Sequence, residues 1–307
     1  MRPEIERVLF VVLVMAACAA LPTAVAQDGP PDAPVETPVE GTEEPVEVDP
    51  LEEDILNAKA LVVEAKYAEA VAVLEPILEE RGEDVDLLAL YGEVLLADGS
   101  PDKAAPVLEK AIGIAPERPR LHFQLAAARL AIGNVDGAIE AFGAEIGVNE
   151  DNEIRFMAHM NRSILLDQKK RFAEAAADLE AAIAIKDDNA MAYGDLARLY
   201  LQADEMDDAL EAMRRGEERG FRSGSLYFNA GARFYNAKDY EAAEAAFRKA
   251  IEIKPEMAEA HRSLASTLVQ TDRSAEAAEH YRRYLELRPD APDADEIRGH
   301  IESASNN

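Results

Sequence analysis

Few residues in this chain have the types and spacing that chemistry requires. There are five histidines, and none forms the H-x-x-x-H pair that places two imidazoles on one helix face for a metal. No Gly-rich phosphate loop and no G-x-S-x-G elbow occurs. Acidic pairs such as Asp207-Asp208 have the groups for acid–base work. With 61 Asp and Glu among 307 residues, however, such pairs are expected on any solvated face. Asn149-Glu150-Asp151-Asn152-Glu153 offers oxygen ligands but lacks the Gly and terminal Glu spacing of a calcium loop. The one cysteine, Cys18, excludes a disulfide framework and multi-cysteine metal sites. The sequence therefore reads as that of a non-enzyme, with no catalytic, metal-ligating or cofactor-binding residue.

Composition narrows the partners. The chain is 48% hydrophobic, enough for a real core. A net charge of −29 argues against nucleic acid, which needs a basic footprint, and against anionic lipid. The amino-terminal end reads as an address. Arg2 and Arg7 flank a short charged region, Val8 to Val14 is unbroken apolar sequence, and Ala24-Val25-Ala26 ends a run of mostly small residues. This order predicts a signal peptide over residues 1–26 and export to the periplasm. Met15-Ala16-Ala17-Cys18 also resembles a bacterial lipobox, so the alternative is an outer-membrane lipoprotein lipidated on Cys18. An uncleaved anchor over Val8 to Ala26 is a third reading, disfavoured by Pro22. Residues 27–50 hold eight acids, no base and many prolines, and read as an extended, disordered, self-repelling tether.

From residue 51 the chain repeats itself. The stretch Gly224 to Met257 contains Tyr227, Gly231, Phe234, Tyr240, Ala243, Phe247, Ala250 and Pro255 in sequence. Related segments cover 51–84, 85–118, 119–155, 156–189, 190–223, 224–257 and 258–291. All are 34 residues long except the third, which has 37. Their twentieth place is Ala70, Ala104, Ala138, Ala175, Ala209, Ala243 and Ala277. The eighth is small throughout (Ala58, Gly92, Ala126, Ser163, Ala197, Gly231, Ala265). The twenty-fourth is large (Leu74, Leu108, Phe142, Leu179, Met213, Phe247, Tyr281). The small residues let paired helices approach, and the large ones fill space between neighbouring repeats.

This pattern resembles the tetratricopeptide repeat (TPR). The resemblance implies an all-α fold: a right-handed α-solenoid of about seven helix-turn-helix units. Residues 292–307 supply a short capping helix and tail, with Ile297 and Ile301 covering the last interface. His122, His159 and His261 all fall at the fourth place, where this family commonly puts an aromatic, and so read as packing residues. Asn161-Arg162-Ser163 falls within a helix, which discounts it as a glycosylation sequon. The third repeat departs from the pattern at Arg129 and Glu145. Its three extra residues read as a longer solvated loop, or alternatively as a seam that changes the pitch.

What such an array offers is a surface. Places 2, 5, 9, 12 and 13 of each first helix share a face, and in this family that face lines a concave groove. The groove residues are then Phe123, Met157, Met160, Ile164, Arg198, Leu201, Phe228, Tyr235 and Asn236, with Leu130 and Met191 beside them. An apolar, Met-containing groove suits a peptide or helical segment of a partner protein. The basic and Asn pair with which some family members grip a carboxylate-ended peptide is absent. Function is therefore expected to be protein–protein interaction in the cell envelope, without nucleic acid and without membrane contact unless Cys18 is lipidated. Of the −29, the tether carries −8 and residues 51–307 carry −21. The groove places hold five acids (Glu52, Asp86, Glu93, Asp167, Glu259) and four bases (Lys59, Arg120, Arg198, Arg262), a net of only −1.

Overall fold

The computed structural model describes residues 50–305. The signal peptide, Cys18, nearly all of the tether and the last two residues lie outside the described residues. Pro50, assigned above to the tether, is the first residue of a helix, a position where proline's missing N–H costs nothing.

The described residues form fifteen helices and no strand. They divide into two compact units, the first ending at Asn161 and the second beginning at Arg162. The first unit contains α1 (Pro50–Val63), α2 (Tyr67–Glu80), α3 (Val85–Ala97), α4 (Pro101–Ile114), α5 (Leu121–Ala131) and α6 (Val135–Val148). The division runs through α7 (Asn152–Gln168). The second unit continues with α8 (Phe172–Ile185), α9 (Ala190–Gln202), α10 (Met206–Glu218), α11 (Gly224–Asn236) and α12 (Tyr240–Ile253). It ends with α13 (Ala258–Gln270), α14 (Ser274–Leu287) and α15 (Ala294–Ser305). Consecutive helices pack on one another from α1 to α6 and from α8 to α15, and first helices also touch, α3 with α5, α9 with α11 and α11 with α13. This is the α-solenoid arrangement of stacked helical pairs.

One local device turns the chain inside every pair. A residue with positive φ stands at Ala65, Gly99, Gly133, Lys170, Asp204, Lys238 and Asp272. These are 34 residues apart, except for 37 between Gly133 and Lys170. The next residue's N–H then reaches back over the helix end to a carbonyl five residues earlier. The bonds are Lys66 to Leu61, Ser100 to Leu95, Asn134 to Arg129, Arg171 to Leu166, Glu205 to Tyr200, Asp239 to Phe234 and Arg273 to Leu268, all 2.8–2.9 Å. This left-handed closure satisfies carbonyls that the helix end leaves open. Arg129 breaks the side-chain pattern, but its carbonyl takes the same bond.

The core follows from the small-large pairing. The seven alanines at the twentieth place are at most 1% exposed. A Cβ on Gly92 would lie 2.6 Å from Leu108, and one on Gly231 would lie 2.7 Å from the Phe247 ring. The large residue of the twenty-fourth place thus seats over the small eighth place of its own repeat. The sequence reading had placed it between neighbouring repeats. A second wedge occurs where Phe221 packs on Gly194, leaving only 2.3 Å for a Cβ. The two ends differ. In α1, Leu56 and Val63 are exposed, whereas α15 lies on α14 and buries Ile297 with Ile301 half-buried.

The third repeat corrects an expectation. Its extra residues do not make a longer loop: only Asn149 to Asp151 separate α6 from α7, and Asn149 is buried. They lengthen α7, which has 17 residues and begins four residues before Phe156. Glu145 is wholly buried. Its carboxylate accepts the backbone N–H of Arg120 at 2.8 Å, that of Phe123 at 3.0 Å and the Asn149 amide at 2.6 Å. Arg120 has φ 75° and no capping side chain of its own. A carboxylate from α6 therefore caps α5, where the helix dipole favours negative charge.

Candidate partner-binding groove

In the first unit, Phe123 stands half-buried on α5, its ring edge-on to Phe142 at 5.2 Å. Its position is fixed twice, by that ring and by its N–H bond to Glu145. Met157 and Met160, on the first part of α7, are half-buried. In the second unit, Ile164 on the rest of α7 is likewise half-buried. Phe228 rests on Phe247 at 5.7 Å and Tyr235 on Tyr240 at 5.5 Å, each leaving part of its ring open. Asn236 is exposed, and Met191 is 66% exposed.

Leu201 is corrected. It is only 4% exposed and belongs to the core of the second unit. First helices touch their neighbours, so one edge of the expected groove face becomes an interface between helices. A helical period predicts the face and leaves its edges undecided.

Arg198 lies between first helices. Its Nη2 contacts Asp167 at 3.0 Å and its Nη1 donates to Gln202 at 3.0 Å. The same neutralisation recurs nearby: Arg262 pairs with Asp293 at 2.5 Å, Arg233 with Asp204, and Glu259 with Arg288. In the first unit, Glu52 pairs with Arg81 at 2.8 Å and Asp86 with Arg118. Fixed charge in these faces is thus largely cancelled within the chain.

Two features were not picked out as sites from sequence. Glu93 on α3 is part-buried, and burial raises its carboxyl above the ordinary carboxylate value. The Gln124 amide on α5 approaches it at 3.5 Å. A cleft of about 650 Å³ opens beside the Glu145 cap, lined among others by Arg120, Asn149, Asp151 and Ile154. Only the insertion before Phe156 hinted at it.

The histidines pack. His122 Nε2 donates to the Pro116 carbonyl at 2.9 Å, and His261 Nε2 to that of Pro255 at 3.0 Å. The other ring nitrogen, His261 Nδ1, stands 3.1 Å from His280 Nδ1. Burial, His261 and Arg248 hold His280 below the ordinary histidine value. Among the described residues, no three His, Cys, Asp or Glu side chains group to hold a metal ion. Nor, among them, is any helix long and apolar enough to cross a membrane.

Comparison with known proteins agrees with this geometry. A family model described as tetratricopeptide repeat matches residues 55–119, 123–190 and 228–292, and a second of the same description matches 95–144 and 167–233. No curated protein sequence matches the chain. Among solved structures, Naa15/Naa10 bound to HypK-THB is similar at a TM-score of 0.66 and 16% identity. The match covers 84% of this chain and 39% of that one, so this chain spans about two-fifths of its length. A tetratricopeptide repeat protein from Parabacteroides merdae has a TM-score of 0.46 at 15% identity, covering 83% and 99% of the two chains. The TPR2AB-domain:pHSP90 complex of yeast Sti1 has a TM-score of 0.46 at 17% identity, covering 83% and 98%. For the first of these, at 16% identity, the likeness is one of fold.

Proposed function

Because the chain belongs to the tetratricopeptide repeat family, we propose that it is a non-enzymatic interaction scaffold that holds a segment of a partner protein in its groove. The repeats and the fold support a protein–protein interaction role. The observation that carries the finer reading is the set of ring faces left part-open on first helices, Phe123 in one unit and Phe228 and Tyr235 in the other. Each ring is braced from behind by a second aromatic, so a ligand meets it without first having to order it. With the charges around it cancelled internally, such a surface favours apolar anchors on an amphipathic helix or an extended segment. An array of immobilised 15-residue peptides probed with the full chain tests this. Phe228→Ala combined with Tyr235→Ala is expected to remove most binding; unchanged binding would sink the groove reading.

The setting we propose is the cell envelope, on the strength of the amino-terminal signal pattern. Mass spectrometry of the mature protein tests it: an amino terminus at Gln27 fits an exported, periplasmic scaffold. An acylated Cys18 fits instead an outer-membrane lipoprotein that assists assembly of an envelope machine. An intact Met1 would overturn both.

A further inference from the structure

The acids at groove places are paired with one exception. Of the five acids at groove places, four are answered by a guanidinium of the chain itself: Glu52 by Arg81, Asp86 by Arg118, Asp167 by Arg198 and Glu259 by Arg288. Glu93 forms no ion pair. Burial also disfavours its charge, outweighing the more distant Arg120. Its hydrogen-bond partner is the Gln124 amide at 3.5 Å, a long contact. Gln124 Oε1 is itself buried and takes no hydrogen bond. Turning the amide over would set that oxygen against the carboxylate and is worse. On the adjacent first helices α3 and α5, Glu93 thus has one long hydrogen bond and Gln124 Oε1 has none.

A part-buried carboxylate short of donors is costly, and a cationic donor answers it. We propose that Glu93, with Gln124 beside it, is the specificity-determining point of the first unit, and that it receives an arginine or lysine side chain of the bound protein segment. This rests on the groove reading above and adds a requirement to it: an apolar segment bearing one cation at a set place. Arginine suits the place best, because its planar fork matches a carboxylate with two parallel hydrogen bonds.

The test uses the full chain and four labelled synthetic peptides. All are the same 15-residue amphipathic helix with leucine and phenylalanine anchors, differing at one polar-edge position that carries Arg, Lys, Gln or Glu. By fluorescence anisotropy the Arg and Lys peptides are expected to bind about tenfold tighter than the Gln peptide. Glu93→Gln should shrink that gap to within about twofold, as a lost charged hydrogen bond requires. Asp102→Asn, which removes the same charge from the second helix α4, should leave the gap intact. A gap that survives Glu93→Gln, or one that Asp102→Asn closes equally, overturns the inference and leaves the groove reading standing. Failure of all four peptides to bind overturns the groove reading and the inference with it.

Discussion

At the scale of single residues, packing decides more than chemistry. The alanines of the twentieth place have no room to grow. Ala243→Leu is expected to cost about 1–3 kcal/mol in urea unfolding, by forcing Phe247 and its neighbours off their rotamers. A neutral result would mean that the tight helix contact is not there. The fourth-place histidines were legible as packing residues, because their register alone separates them from one another. The His261–His280 contact was not legible, since it depends on two helices meeting at one ring edge. It gives a dependence on pH. His280 is held below the ordinary value of 6.5 when folded, so the unfolded chain binds more protons below that pH. Stability is therefore complete above about 6.5 and falls as pH drops toward the lowered folded value. His280→Gln, which keeps a donor but not the titration, should flatten the melting temperature between pH 7 and pH 5.5. A slope that the variant leaves unchanged would assign the loss to other groups.

At the scale of elements, the sequence showed where helices turn but not how an irregular one is held. Gly99, Gly133, Asp204 and Asp272 are of types that favour turns, and all four take the left-handed conformation. Ala65, Lys170 and Lys238 take it as well, without a side chain that favours it. Their turn is imposed by the closing bond and by the packing of the pair. The third repeat was read as irregular for the right residues and assigned the wrong outcome. Three inserted residues extend α7, because the buried Glu145 carboxylate and Asn149 pin the chain before it. Composition cannot reveal a glutamate whose partners are backbone groups about 25 residues upstream. Glu145→Ala leaves the N–H groups of Arg120 and Phe123 without their acceptor and should cost about 2–4 kcal/mol. Hydrogen exchange at those two amides should rise at the same time. Slow exchange there in the variant would show that another group had taken over the cap.

At the scale of the whole molecule, the repeat period carried the fold class, because a solenoid needs only neighbour contacts. The groove was legible as a helix face and blurred at its edges. Leu201 was lost to an interface, and Glu93 entered only when its missing ion pair could be compared with four that are made. The carboxy-terminal end shows what neighbour-only stability demands. Ile297 is buried between α15 and the last repeat, and Asp293 accepts from the Tyr284 hydroxyl at 2.9 Å. Removing residues 292–307 should cost about 2–4 kcal/mol, the scale of one buried isoleucine plus a half-buried one. It should also make sedimentation concentration-dependent, through the apolar face it uncovers. A truncated chain that melts like the full one would mean that α15 contributes no cap.

The recurring closure from each left-handed turn back to its own helix has a mechanical consequence. No repeat borrows its turn from another, so a pull on the chain ends meets links in series, not one shared clasp. Each link that yields releases about 110–120 Å of extended chain, given 34 residues at the usual reach per residue. Load is then shed in instalments. A chain strained at its ends can pay out length one repeat at a time and recoil, while the other repeats stay folded.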